Sequence, residues 1–303
     1  MAIRIRPLAP TIGPQNENRA WKALAGKNSV TEIQSTKSDV VKFSTPSRRA
    51  MKNNDVEYTY DKVFGEETNT CQIYRELVGD IVDSVTQDGI NGTVFTYGQT
   101  SSGKTFTMQG CGGSRDDSVG VIQLAAKDIF ESIKEESNGS GGSRNTNSIS
   151  SVRVSYLEVY NEELRDLLSD NNQKPSSALT IKENKQGSIV VENLKEVAVN
   201  SLEQLMKVFR DGEKNKSVGS TKMNERSSRS HAILQITVEK KTVLNARGAV
   251  DDKENAASPN AANNFVVKTS STLNLVDLAG SESVRHTSSS GMQKKEGGMI
   301  NQR

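Results

Sequence analysis

The stretch 93–105 constrains this chain more than any other. Thr93, Val94, Phe95, Thr96 and Tyr97 are β-branched or aromatic and predict a buried strand. The residues that follow, Gly98, Gln99, Thr100, Ser101, Ser102, Gly103, Lys104 and Thr105, have the Gly-x4-Gly-Lys-Thr spacing of a phosphate-binding loop. The chemistry dictates these residue types. Glycines let the backbone turn until successive N–H groups face inward on phosphate oxygens, and a helix beginning near Lys104 adds the positive end of its dipole. An ammonium at 104 reaches the β- and γ-phosphates, and a hydroxyl at 105 ligates Mg²⁺. The plain alternative is a Gly/Ser turn between a strand and a helix. At average glycine usage such a string arises by accident in roughly one chain in a hundred of this length.

The periods around the loop give an α/β order. Ile73, Leu77, Val78, Ile81, Val82 and Val85 sit at helical spacing, with Asn69 or Thr70 as cap and Gly89 or Gly92 beyond the end. After the loop, Ile122, Ala125, Ala126, Ile129, Phe130 and Ile133 mark another amphipathic helix. Helix, strand, loop, helix is the order of a parallel α/β fold, so the expected architecture is a mostly parallel central sheet flanked by helices. Short strands are expected at 2–6, 30–33, 40–43 and 56–64, the middle two as a small hairpin. Val152, Val154 and Tyr156 alternate as a strand reaching about Tyr160, after which Asn161 is expected to cap a short helix ending near Leu168. Residues 178–199 read as two or three strands, and Ser201 with Gln204 as a capping box opening a helix through Leu205 and Phe209. Two further strands are expected at 233–243 and 266–276.

Composition bounds the rest. The 303 residues are 33% apolar, which suggests long solvated loops around a single core, and one domain over 1–303 is expected. The Gly/Ser/Asn tract 137–148 and the Ala/Asn/Asp/Ser tract 245–264 are expected to be disordered loops. Basic and acidic residues nearly balance, 39 against 37, so net charge gives no ground for a nucleic-acid or membrane partner. Cys71 and Cys111 are too few for a disulfide framework, and no apolar run has membrane length, which leads us to expect a soluble intracellular setting.

Two more segments carry chemistry. Asn224, Glu225, Arg226, Ser227, Ser228, Arg229, Ser230 and His231 gather hydroxyls, an amide and guanidinium groups just before a strand; alone, such a run is as well read as a solvated polar loop. Asp277, Leu278, Ala279 and Gly280 end an apolar strand in the Asp-x-x-Gly form, in which the carboxylate serves Mg²⁺ and the glycine N–H meets a γ-phosphate; an Asp-capped turn is the alternative. With the loop, they describe a device that senses a terminal phosphate through two switch segments.

The full set resembles the kinesin motor family. Its marks are Arg4, Arg6 and Pro7 as Arg-x-Arg-Pro, the loop from Gly98 to Thr105, Asn-x-x-Ser-Ser-Arg-Ser-His from Asn224 to His231, and Asp-Leu-Ala-Gly-Ser-Glu from Asp277 to Glu282. The stretches 97–108 and 219–231 look nearest the centromere-associated mitotic branch. The resemblance implies a P-loop ATPase of kinesin motor type that takes ATP and Mg²⁺ and has the microtubule as partner. Cytoplasm and cytoskeleton are then the implied location, with the spindle for a mitotic motor. Arg4, Arg6, Pro7 and Tyr74 would face the purine, although the sequence by itself reads Tyr74 as a half-buried helix residue. Thr105 and Ser228 would hold the metal, with Asp277 through water. Lys104, Asn224, Ser227 and the Gly280 N–H would contact the γ-phosphate or attacking water, and Arg229 with Glu282 would pair to close the switches. Candidate microtubule contacts are Lys182, Lys185, Arg285, Lys294 and Lys295, each equally well an ordinary solvated side chain.

By the same resemblance, the chain ends where kinesins begin the relay helix, so it is expected to be incomplete at its C-terminal end, and dimerisation is left to regions outside it. A nucleotide-binding, microtubule-associated fragment without turnover is the rival reading. Within 245–264, Lys253-Glu254-Asn255 and Ser258-Pro259 have the form of a degradation signal and a proline-directed phosphorylation site, but a second Lys-Glu-Asn at 182–184 shows how readily that tripeptide occurs by chance.

Overall fold

The computed structural model describes residues 1–7, 21–32, 57–111, 119–137, 146–169, 178–185, 187, 189–218, 229–245 and 264–282. The chain divides into two compact units, Met1–Ile73 and Tyr74–Arg303.

In the first unit, β1 (Ala2–Arg4) is followed by β2 (Trp21–Leu24), β3 (Ser29–Glu32), β4 (Glu57–Thr59) and β5 (Lys62–Phe64). β1 pairs in parallel with β5, while β2, β3 and β4 form an antiparallel sheet with β3 in the middle. The strand expected over 56–64 is thus two, parted where Tyr60 N turns aside to donate to Asn28 O (2.9 Å). β2 has no alternation in its sequence and escaped the pattern; it is held instead by β3 and by the Trp21 ring tilted against Tyr58 at 5.8 Å. The run 40–43 lies outside the described residues.

The helical pattern from 70 onward breaks into pieces: α1 (Thr70–Leu77), α2 (Gly79–Asp83) and a wider π-helical turn at Ser84–Asp88. Asn69 caps α1, its Oδ1 accepting from Gln72 N (2.9 Å), and Gly89 ends the series at φ +70°, where a side chain would be strained. The second unit continues with β6 (Gly92–Thr96), α3 (Lys104–Gln109), α4 (Val121–Ser137), β7 (Thr146–Tyr160), β8 (Glu163–Asp166), β9 (Thr180–Glu183), β10 (Ile189–Glu192), β11 (Val197–Val199), α5 (Leu202–Val218), β12 (Ser230–Asn245) and β13 (Asn264–Asp277).

Its main sheet runs β11-β7-β12-β13-β6, with β8 added on β7. The expectation of a mostly parallel sheet gives way here to a mixed one: in that sheet only β13 with β6 is parallel among the described pairs. The reason is the meander of long strands β7, β12 and β13, which sequence order alone does not distinguish from strands joined by crossover helices. The helix expected at 161–168 is instead the hairpin partner β8. Asn161 and Glu162 both take positive φ, 50° and 65°, the conformation of a two-residue hairpin turn. The capping box holds in modified form, with Gln204 N on Ser201 Oγ (3.3 Å) and Gln204 Oε1 accepting from Asn200 N (2.8 Å).

One hydrophobic cluster fills the space between the helices and one face of the sheet, built around Met108, Ala125, Ile129, Val154, Tyr156, Leu205, Leu234, Ile236, Leu273 and Leu275. The opposite face carries a polar row across four strands: Ser155 Oγ to Gln235 Oε1 (3.0 Å), Gln235 Nε2 to Asn274 Oδ1 (3.0 Å), and Asn274 Nδ2 to Thr93 Oγ1 (3.3 Å). β6 is accordingly half-buried on one side and exposed on the other, with Phe95 62% exposed, which corrects the reading of a buried strand. Helix α5 packs so closely that a Cβ on Gly212 would lie 2.5 Å from Tyr156 Cδ1. Gly212→Ala, which in an open helix would gain roughly 1 kcal/mol, is therefore expected to lower unfolding stability by about 1–2 kcal/mol through overpacking, as measured by urea titration.

Candidate functional site

The phosphate loop leaves β6 at one edge of the sheet, and Asp277 closes β13 beside it because the two strands are parallel and paired to their last residues, Asp277 opposite Thr96. Gly103, at φ +100°, turns the chain into α3, and Lys104 and Thr105 stand in that helix's first turn. Thr105 Oγ1 donates to Asp277 Oδ2 at 2.6 Å, and Thr96 Oγ1 approaches the other carboxylate oxygen at 3.3 Å. A hydroxyl whose proton lies on a carboxylate turns its lone pairs outward, as a cation ligand must.

Lys104 folds back onto its own loop, Nζ donating to Gly98 O (2.7 Å) and Gln99 O (2.8 Å). Burial lowers its pKa, against the opposing pull of Asp277 and Glu282. Glu282 reaches the loop from the segment after β13: its carboxylate accepts from Thr100 N (2.8 Å) and from the Thr100 hydroxyl. Partial burial pushes the Glu282 carboxyl up, but those two hydrogen bonds and the Lys104 charge outweigh it and hold it below the ordinary glutamate value. Ser281 N bonds Gly98 O (3.1 Å), and Ala279 N donates to His231 Nδ1 (3.1 Å). An Nδ1 that accepts leaves any imidazole proton on the other nitrogen, so His231 is fixed in tautomer and joins the start of β12 to the end of β13. Gly280 is buried, and a Cβ there would fall on the Glu282 carboxylate and 2.5 Å from Thr100 Oγ1.

Of the residues singled out by sequence, the structure gathers Gly98, Gln99, Thr100, Lys104, Thr105, Asp277, Gly280 and Glu282 around one loop. Ser101, at φ +66°, and Ser102, whose N bonds Gln99 O (3.1 Å), complete its turn. Arg229 is described and half-buried, while Asn224, Ser227 and Ser228 lie outside the described residues. Arg4, Arg6 and Pro7 belong to the first unit, where the Arg4 guanidinium donates to Thr70 Oγ1 (3.1 Å) and Thr68 O (3.4 Å) and Arg6 and Pro7 are exposed. Tyr74 stands at the start of the second unit. It is 4% exposed and its hydroxyl donates to Asp128 Oδ2 (2.7 Å), more buried than the half-buried helix residue the sequence suggests. Burial, with Asp128 beside it, raises that hydroxyl's pKa. Thr96, the Thr100 contact with Glu282 and the His231 acceptor were not read from sequence; only Thr96 left a signal, as the polar residue that ends β6 opposite the acid.

The sequence profile of the kinesin motor domain matches residues 4–303. The chain belongs to the kinesin motor domain family. Kinesin-related protein 4 of Dictyostelium discoideum is 39% identical over 82% of this chain and 11% of its own length. Kinesin-like protein KIN-7N of Arabidopsis thaliana is 36% identical over 99% of the chain and 30% of its own length. The chain spans 11–40% of the length of curated relatives such as these. A solved structure of a fast kinesin superposes with a TM-score of 0.72 at 31% identity, covering 99% of this chain and 70% of that one. The P-loop α/β fold of the kinesin motor domain is thereby shown by profile and by architecture together.

The hold of Thr100 on Glu282 is measurable. A carboxylate with a depressed folded-state pKa contributes stability above its unfolded value and loses that contribution as pH falls through the folded one. Thr100→Ala should therefore shift the Glu282 titration upward toward the ordinary glutamate range in a carboxyl-carbon NMR series; an unmoved midpoint would deny the contact.

Proposed function

We propose that this chain is the ATP-hydrolysing motor domain of a microtubule motor, a single functional domain over 1–303. The observation that carries the reading is the Thr105 hydroxyl on the Asp277 carboxylate at 2.6 Å, beside a lysine in the first turn of the helix after a phosphate loop. That donor set fits magnesium, which takes few protein ligands and fills its sphere with phosphate oxygens and water. Among the described residues no cluster of three or more His, Cys, Asp or Glu exists that would suit a different metal. Thr105 and Asp277 would hold the ion with Ser228, and when bound it neutralises charge on the phosphates.

The chain's own groups do the rest. Lys104 exchanges the Gly98 and Gln99 carbonyls for phosphate oxygens, and the Gly280 N–H, Asn224 and Ser227 position the attacking water against the terminal phosphate. Release of that phosphate lets Glu282 return to Thr100, so the loop bearing it changes partner with the state of the site. Arg229 paired with Glu282 is the closed form of the same device. ATP is favoured over GTP because no Asn-Lys-x-Asp guanine reader stands in a suitable place. Lys182, which holds Glu192 across the β9–β10 hairpin, and the exposed Lys185 are the described candidates for the acidic microtubule surface. Arg285, Lys294 and Lys295 lie outside the described residues. A mitotic role of the centromere-associated kind is the finer form of this proposal, resting on the motif stretches alone.

Steady-state ATPase with and without microtubules tests the reading. Lys104→Ala is expected to lower turnover about 10³-fold with loss of nucleotide affinity. Arg229→Glu is expected to stop hydrolysis while nucleotide binding persists. Absence of turnover both with and without microtubules, while nucleotide and microtubule binding persist, would instead make it the binding fragment.

A further inference from the structure

The residues of the Ser/Arg run that the proposed function sets over the terminal phosphate lie in the chain between α5, which ends at Val218, and β12, which begins at Ser230. Both roots of that segment meet the β7–β8 hairpin. At the α5 root, Arg165 Nη2 of β8 donates to Asn215 O (3.2 Å) in the helix's last turn, and Asn215 Nδ2 returns a bond to Leu167 O (2.8 Å). The Tyr156 hydroxyl of β7 donates to Glu213 beside them. At the other root, Ser230 lies opposite Tyr160 and Ala232 opposite Glu158, so β12 starts on the β7 arm of the same hairpin.

Glu158 links the two roots. Val152, Val154 and Tyr156 alternate as buried residues on the core face of β7, and the next position on that face is a carboxylate only 1% exposed. Arg165, opposite it in the register, brings Nη1 to 3.8 Å from Glu158 Oε2, so one guanidinium spans that carboxylate and the end of α5, where a cation also complements the helix dipole. A carboxylate this deep is a poor source of stability, because its desolvation offsets the attraction of its partner. Ser230 stands on the same face, diagonal to Glu158, and its buried hydroxyl has no hydrogen-bond partner among the described residues. Diagonal neighbours lie roughly 7–8 Å apart, a span that a long side chain covers. Asp277, the other carboxylate in the row through Ala232, already accepts from Thr105 and Thr96.

We infer that Glu158 is a positioning residue for hydrolysis. With nucleotide bound, its carboxylate accepts from the Ser230 hydroxyl while keeping Arg165, which fixes the start of β12 against the end of α5. Ser228 and Arg229 directly precede Ser230, so their place over the nucleotide is set by that contact. The unbonded hydroxyl supplies the drive, since a buried donor without an acceptor is unfavourable and Glu158 is the acceptor on its face. The inference rests on the nucleotide-binding reading and adds to it the group that holds the first switch in place. Glu158 acts through Ser230 and Arg165, not on the reacting atoms.

Ser230→Ala tests this by steady-state kinetics and thermal melting. Removing a hydroxyl without a partner is expected to leave the melting temperature of the nucleotide-free protein unchanged or raised, while kcat falls about tenfold or more and KM stays within about twofold. Glu158→Met with Arg165→Met leaves neither charge unpaired, so the double variant is expected to melt close to the wild type and still hydrolyse slowly. Unchanged kcat in Ser230→Ala, or turnover that returns with stability in the double variant, would overturn the proposal. Should the double variant fail to melt cooperatively, the serine change decides alone. Hydrogen exchange needs no turnover: Arg165→Met is expected to speed it about tenfold at the amides of 215–218 and of 230–232 together. That measurement keeps the two readings apart, because a wild type without turnover fails the motor reading, whereas exchange that rises at the α5 root alone fails this one.

Discussion

The parallel pairing of five residues of β13 with β6 is the constraint on which the site depends. Two parallel neighbours finish at the same edge of a sheet, so whatever follows each strand meets there. Were the pair antiparallel, the phosphate loop and Asp277 would stand about 15 Å apart, at opposite ends of the paired stretch. A slip of one residue would be as damaging, since it would carry Asp277 to the other face. Two things hold the register. Leu273 and Leu275 are buried against the helices on one face, and on the other the row from Ser155 through Gln235 and Asn274 to Thr93 joins four strands by side-chain bonds.

At the loop itself, two of the donors suited to an anion are already engaged by the protein. Lys104 is on two carbonyls and Thr100 N on a carboxylate. A phosphate arriving there exchanges one set of hydrogen bonds for another, and such exchanges contribute little net free energy. What changes is charge: a lysine whose ionisation burial disfavours gains a close anion, and Glu282 must give up its place to it. At those two donors the gain comes from electrostatics more than from the number of bonds, and in the proposed function Glu282 senses occupancy through competition for Thr100.

The chemistry was more legible in the sequence than the architecture. A phosphate loop, an Asp-x-x-Gly turn and a Ser/Arg run demand particular residues at particular spacings, and those survive in one dimension. Strand direction does not: β7, β12 and β13 alternate in the same way whether they run parallel or antiparallel. The turn at Asn161 and Glu162 misled for a local reason, because an asparagine before an amphipathic run is as good a helix cap as it is a hairpin turn, and only positive φ at both residues separates the two. The burial of Tyr74 was not legible either. An aromatic at a helical position serves a ligand or the core according to which way its helix faces, and that is decided by Val78, Val82 and the rest of the cluster around it.

β13 has different surroundings at its two ends, and the difference follows from how long it is. The β6 partner is short, since β6 must stop to form the phosphate loop and is preceded by a helix that Gly89 ends. Packing reinforces the mismatch, because a Cβ on Gly92 would lie 2.9 Å from Val85 Cγ2 and 3.3 Å from Leu273 Cδ1, fixing where that helix meets the sheet. The strand that must reach the site from β12 is therefore longer than β6 beside it, and among the described residues its first half is paired on the β12 side alone. An unpaired edge is costly to leave unguarded. Here the exposed Lys268 stands on that edge, so the same length mismatch that brings the phosphate loop and Asp277 together leaves the other end of β13 to be guarded by charge.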